Sequence, residues 1–122
     1  MNNSHYQIGQ CVLDCQTQSL SRNGEVYKLS AKVFELLRLF LNSDEYVVSR
    51  EEAIKQIWLG NEGVGQRGFT NAIWTLRKAF KELGEDKDDV FITLPKVGYQ
   101  LNLNVAGVGE KRQVKPLYIY LI

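Results

Sequence analysis

The stretch from Phe69 to Gly84 constrains this chain most. It reads Phe-Thr-Asn-Ala-Ile-Trp-Thr-Leu-Arg-Lys-Ala-Phe-Lys-Glu-Leu before the glycine. At about 100° per residue, Phe69, Ala72, Ile73, Leu76, Phe80 and Leu83 fall on one apolar stripe of a helix closed by Gly84. Arg67, Asn71, Trp74, Lys78 and Lys81 fall opposite. Such a helix lays one face on a core and turns the other to water or a partner. Phe91-Ile-Thr-Leu-Pro-Lys-Val-Gly-Tyr-Gln-Leu101 then reads as a hairpin with a cationic tip at Lys96, where Gly98 supplies the open backbone a tight turn needs.

The rest of the chain supplies elements for these to pack on. Between Tyr6 and Lys28, Ile8, Val12, Leu13, Leu20, Val26 and Tyr27 sit among polar residues, and Arg22-Asn23-Gly24-Glu25 is a hairpin turn, which predicts three or four short strands. Ser30 is placed to cap a helix with Val33, Phe34, Leu37, Phe40 and Leu41 inward, ended by Asn42-Ser43-Asp44. Ser49 with Glu52 forms a capping box for a second helix from Arg50 to about Trp58, with Ala53, Ile54 and Ile57 inward. The glycines of Leu59–Gly65 mark that segment as a mobile loop. At 122 residues, one domain with a real core is expected.

A formal net charge of +1 makes no case for a polyanionic partner, so the argument has to come from clustering. Between Gln66 and Leu83, Arg67, Arg77, Lys78 and Lys81 stand against Glu82 alone, while Glu85, Asp86, Asp88 and Asp89 follow against Lys87. The cationic helix carries groups a major groove can use: cations for phosphates, and an amide that pairs with adenine. Enzymatic chemistry has no constellation to rest on, because His5 is the sole histidine and no acid, base and nucleophile recur together. No cofactor is expected. Cys11 and Cys15, if both lie on one strand, are roughly 13 Å apart and cannot bridge each other; reduced thiols and no metal site are expected. Met1 to Gln10 lacks the basic-then-apolar order of a signal peptide, so a cytoplasmic domain is expected.

Four blocks carry a more specific resemblance: Leu29-Ser-Ala-Lys-Val-Phe-Glu-Leu-Leu37, Val48-Ser-Arg-Glu-Glu-Ala-Ile-Lys-Gln-Ile-Trp58, Ala72-Ile-Trp-Thr-Leu-Arg-Lys78 and Thr93-Leu-Pro-Lys-Val-Gly-Tyr99. In this order and at these separations the chain, from about Tyr6 to Leu103, resembles the OmpR/PhoB-type winged helix-turn-helix effector domain, and within it the membrane-anchored ToxR/CadC branch. The resemblance implies an α+β fold: an N-terminal antiparallel sheet, a three-helix core and a C-terminal wing hairpin. It implies sequence-specific binding of double-stranded promoter DNA by a bacterial transcriptional regulator, with the recognition helix in the major groove and the wing on the backbone or minor groove. RNA polymerase contact through the Leu59–Gly65 loop and a homodimer on DNA belong to the same expectation. The alternative is a winged-helix domain that docks a protein partner without binding DNA.

On that resemblance the DNA-binding candidates are Arg67, Thr70, Asn71, Trp74, Thr75, Arg77, Lys78, Thr93, Lys96 and Tyr99. Asn71 is placed for a base edge, Arg67, Arg77 and Lys78 for phosphates, and Thr70 and Thr75 for phosphate or a thymine methyl. Trp74 leaves two readings open: pressing on thymine methyls or sugar edges in the groove, or packing against the Leu59–Gly65 loop or a second copy. Thr93, Lys96 and Tyr99 correspond to residues that hold the backbone and reach the minor groove. Val97 departs from the branch, which usually has a cation there, and this puts minor-groove insertion in question.

The domain boundaries expected are residues 1–105 for the DNA-binding domain, 106–116 for a basic linker and 117–122 for an apolar tail. The linker carries Lys111, Arg112 and Lys115, and Leu117-Tyr-Ile-Tyr-Leu-Ile122 is uncharged, which two readings fit: the start of a transmembrane helix, or a C-terminal strand. In the resembling branch a membrane helix follows the domain, making this the cytoplasmic part of an inner-membrane, single-pass protein. Met1 precedes the first strand closely, so no phosphoacceptor domain is expected upstream, and signal is expected through whatever follows Ile122.

Overall fold

The computed structural model describes residues 4–87 and 89–108. It begins with an antiparallel meander: β1 (His5–Ile8), β2 (Cys11–Asp14), β3 (Ser19–Arg22) and β4 (Glu25–Lys28). The β3–β4 turn places Asn23 at φ 53° and Gly24 at φ 85°, the paired left-handed conformations that match the twist of a two-residue hairpin. A fifth strand, β8 (Val105–Val108), returns from the far end of the chain and pairs antiparallel with β1, His5 opposite Val108 and Ile8 opposite Val105. The sheet order is β4-β3-β2-β1-β8. The linker start expected at residue 106 therefore falls inside a strand. The segment contains a glycine, but the unpaired edge of β1 gives its backbone a ladder to complete.

Helix α1 (Ala31–Leu41) buries Val33, Phe34, Leu36, Leu37 and Phe40. Leu41 is only half-buried, and Leu36 takes an inward place that the periodic reading left out. Ser30 precedes the helix with extended backbone but its hydroxyl makes no capping bond; only its carbonyl accepts, from the Phe34 amide. The cap at α2 (Arg50–Ile57) is formed as expected, the Ser49 hydroxyl accepting from the Glu52 amide at 3.0 Å.

The third helix differs most from expectation. α3 spans Glu62–Glu82, about 30 Å, and starts well before Phe69. Asn61 caps it by accepting from the Val64 amide at 3.2 Å. The connection from α2 is reduced to a tight turn: Leu59 and Gly60 adopt φ of 54° and 78°, and the Gly60 amide returns to the Ile54 carbonyl. Of the glycines read as loop, Gly63 and Gly65 are instead helical. Gly65 lies against Ile54 and Gly68 against Trp58, so that a Cβ at either place would come within 2.6 Å of those side chains. Glycine costs roughly 1 kcal/mol of helix propensity relative to alanine, and close packing of α2 on α3 outweighs it.

The wing is also larger than a hairpin. β6 (Phe91–Leu94) and β7 (Gly98–Leu101) pair as expected, and β5 (Val47–Val48) adds a third strand, for an order of β5-β7-β6. The core between helices and sheets includes Phe40, Phe69, Phe80 and Phe91, all fully buried, with Phe40 and Phe91 ring centroids 4.9 Å apart. Cys11 is buried there and Cys15 half-buried, both as free thiols. Among the described residues no helix is long and apolar enough to cross a membrane. The basic residues 111–115 and the Leu117–Ile122 tail lie outside the described residues.

Candidate nucleic-acid interface

Helix α3 has two faces. Phe69, Ala72, Ile73, Leu76 and Phe80 are buried, and Arg67, Thr70, Asn71, Trp74, Lys78 and Lys81 are exposed. Trp74 is 63% exposed, whereas Trp58, at 8%, is buried against Gly68 and its carbonyl accepts from the Asn61 amide of the α2–α3 turn. Asn71 and Arg67 have no hydrogen-bond or ionic partner among the described residues. Thr75 is half-buried beside them.

Lys78 and Arg77, by contrast, are engaged. Lys78 Nζ lies 2.7 Å from Glu82 one turn on, and that carboxylate holds the ammonium pKa above its ordinary value. Arg77 turns toward the base of the wing. Its Nη2 donates to the Phe91 carbonyl at 2.9 Å and lies 3.5 Å from the Asp89 carboxylate, while its buried Nε has no partner among the described residues. Of the three expected phosphate contacts, Arg67 alone presents an unengaged charge.

In the wing, Thr93 is exposed opposite Tyr99, and Lys96 and Val97 are exposed at the tip. The left-handed residue of that turn is Lys96, at φ 66°, closed by the Val97 amide donating to the Leu94 carbonyl. Gly98, at φ 152°, takes the open backbone expected of it, and it is needed for a second reason as well. A Cβ there would lie 2.3 Å from the Val48 carbonyl oxygen, so glycine lets β5 and β7 meet.

Tyr99 leads to a residue the sequence reading passed over. Its ring packs 5.3 Å from that of Phe69, and its hydroxyl accepts from Arg50 Nη2 at 3.4 Å. Arg50 Nη1 also reaches the Gln66 side chain at 3.1 Å and the Thr70 hydroxyl at 3.2 Å, and the guanidinium carbon sits 4.7 Å above the Phe69 ring. A signal for this role was available. Arg50 opens α2, where the positive end of the helix dipole disfavours a cation, so arginine there needs another reason.

Residues 24–101 match the family described as "Transcriptional regulatory protein, C terminal". The chain belongs to this family. Its members are DNA-binding domains of transcription factors rather than enzymes. Among relatives, it is similar to the transcriptional activator CadC of Escherichia coli (strain K12), 31% identical over 104 residues, covering 85% of this chain and 20% of CadC. It is similar also to the transcriptional regulatory protein RprY of Bacteroides fragilis (strain YCH46), 31% identical over 96 residues, covering 79% of this chain and 39% of RprY. The chain thus spans about a fifth to two-fifths of the length of these relatives. The solved DNA-binding domain of E. coli CadC superposes with a TM-score of 0.73 at 28% identity, covering 88% of this chain and 100% of that one. The winged-helix fold of the family is the fold found here.

Proposed function

We propose that this domain binds duplex promoter DNA with sequence preference, laying the exposed face of α3 in the major groove and the wing on the adjoining backbone or minor groove. The observation that carries this reading is the open mid-face of α3. Asn71 has no partner among the described residues and Trp74 stands 63% exposed, on a helix whose opposite face is buried in the core. The Asn71 amide can donate to N7 and accept from N6 of adenine, a pairing worth roughly 1–3 kcal/mol against a wrong base. Trp74 supplies an apolar surface for thymine methyls or sugar edges, and Thr70 and Thr75 flank it. Arg67 clamps phosphate, and Lys78 and Arg77 add weaker or indirect support because each has an internal partner. At the wing, Lys96 takes a phosphate, Thr93 and Tyr99 hold the backbone, and apolar Val97 favours contact with sugar over insertion of charge.

The proposal extends to the parent protein in three respects. Leu59, 88% exposed, and Val64, 50% exposed, offer an apolar contact for RNA polymerase beside the α2–α3 turn. Two copies on adjacent half-sites would appear as a cooperative second step in a DNA titration. The cations of residues 111–115 before the uncharged Leu117–Ile122 run support attachment to an inner membrane, with this domain on the cytoplasmic side. Truncation after Gly109 checks that last point, since a dispensable tail leaves folding and DNA affinity intact.

The test of DNA binding is fluorescence anisotropy on promoter fragments from low to physiological salt. Log affinity is expected to fall linearly with log salt, because neutralised phosphates release counterions. Absence of binding at low salt, or a flat response, would favour protein docking through Trp74.

A further inference from the structure

Among the described residues, Arg50 is the single side chain that bonds to both α3 and the wing from a third element. It sits on α2 and reaches Gln66 and Thr70 on one side and Tyr99 on the other, above the Phe69 ring that Tyr99 also touches. A planar guanidinium with several donors is suited to such a node; an ammonium offers a point charge without the fork. Arg77 makes a second tie lower down, to the Phe91 carbonyl. The wing is thus held to α3 near the start of the helix and again toward its end.

We infer that Arg50 is a positioning residue for the wing: it sets the angle and distance of β6 and β7 relative to α3, so that the two reach one stretch of DNA together, and does not itself contact phosphate. Its guanidinium is already bonded to Gln66, Thr70 and Tyr99. The Thr70 hydroxyl is held as acceptor in the same network, which fixes the rotamer of a candidate DNA contact. The consequence for DNA rests on the reading above. The placement of the wing does not, and can be measured without DNA.

Amide hydrogen exchange on the free, full chain is the first arm, with Arg50→Lys and Tyr99→Phe as variants that keep bulk and fold. The hydrogen-bonded amides of β6 and β7 are expected to exchange about tenfold faster in Arg50→Lys, the scale of losing a hydrogen bond to a charged group, while β1 to β4 keep their protection. Unchanged wing protection, or an equal loss in both sheets, would overturn the inference. The second arm is DNA binding. Arg50→Lys is expected to lose hydroxyl-radical protection under the wing while retaining guanine N7 protection under α3, with an unaltered salt slope. Arg50→Ala removes the charge as well, and its slope too should match that of the unaltered protein; a slope lower by about one would make Arg50 a phosphate ligand and refute the positioning role. Failure of the unaltered protein to bind would count against the DNA reading alone, since the exchange arm still decides the placement of the wing.

Discussion

Gly68 lies against the indole of Trp58, where a Cβ would come within 2.6 Å of Nε1 and Cε2. Gly65 makes the equivalent approach to Ile54, at 2.5 Å. These two contacts let α2 and α3 cross closely, and they fix the exposed face of α3 relative to the rest of the fold.

Gly68→Ala and Gly65→Ala are therefore expected to destabilise the domain by about 1–3 kcal/mol in urea unfolding, the usual range for overpacking, despite alanine's better helix propensity. Gly63 is in the same helix, and its nearest neighbour to an added Cβ is the Asn61 side chain at 3.8 Å. Gly63→Ala should stabilise by up to about 1 kcal/mol. Opposite signs on one helix would separate packing from propensity; a stabilising Gly68→Ala would contradict the account.

That contact also explains what the sequence conveyed and what it did not. Helix α1 and the buried half of α3 were legible because Val33, Phe34, Leu37 and Phe40, and then Phe69 through Phe80, repeat with the period of a helix. The Ser49 cap and the Asn23-Gly24 turn carry local chemistry that needs no distant partner. The first turns of α3 were not legible, because Gly63 and Gly65 signal a loop to any local reading and the reason for Gly65, like that for Gly68, lies in its approach to Ile54 or Trp58. Strands β5 and β8 failed for the same cause: Val47-Val48 pairs with Tyr99 and Gln100, and Val105–Val108 with β1, across most of the chain. The polar candidates on α3 were found by spacing alone, whereas spacing could not tell that Lys78 and Arg77 have internal partners, or that Arg50 joins α2 to both α3 and the wing.

The cysteines give a pH prediction. Burial is the main cause that pushes the Cys11 thiol from the ordinary 9.0 up to about 11, with the Glu85 carboxylate adding to it. The folded-state value lies above the unfolded one, so in the alkaline window the unfolded chain releases its proton first. The contribution of the neutral thiol is complete below pH 9.0 and is lost as pH rises toward about 11. Unfolding free energy should fall over that window, and fall less in Cys11→Ala. A thiol reagent at mildly alkaline pH should modify half-buried Cys15 first and Cys11 only at the rate of opening.

Arg67 and Lys78 should differ although both are exposed cations on α3. Lys78 has Glu82 at 2.7 Å, and replacing the lysine frees a carboxylate as well as removing a cation. Arg67→Ala should lower the slope of log affinity against log salt by about one, the signature of one lost phosphate contact. Lys78→Ala should weaken binding through the freed Glu82, and Lys78→Ala combined with Glu82→Gln should recover most of it. Equal slopes for Arg67→Ala and the unaltered protein would remove Arg67 from the interface.

The most direct measurement of the central claim, that the exposed mid-face of α3 reads bases, is the ratio of affinities for a selected operator and for random duplex at one salt concentration, in Asn71→Ala and Arg67→Ala. Asn71→Ala should lower the ratio by roughly tenfold, within the 1–3 kcal/mol assigned to a bidentate adenine contact, with random-duplex affinity nearly unchanged. Arg67→Ala should weaken both duplexes alike and keep the ratio. If Asn71→Ala stays folded and leaves the ratio intact, α3 does not read sequence through this face and the account is wrong at its centre.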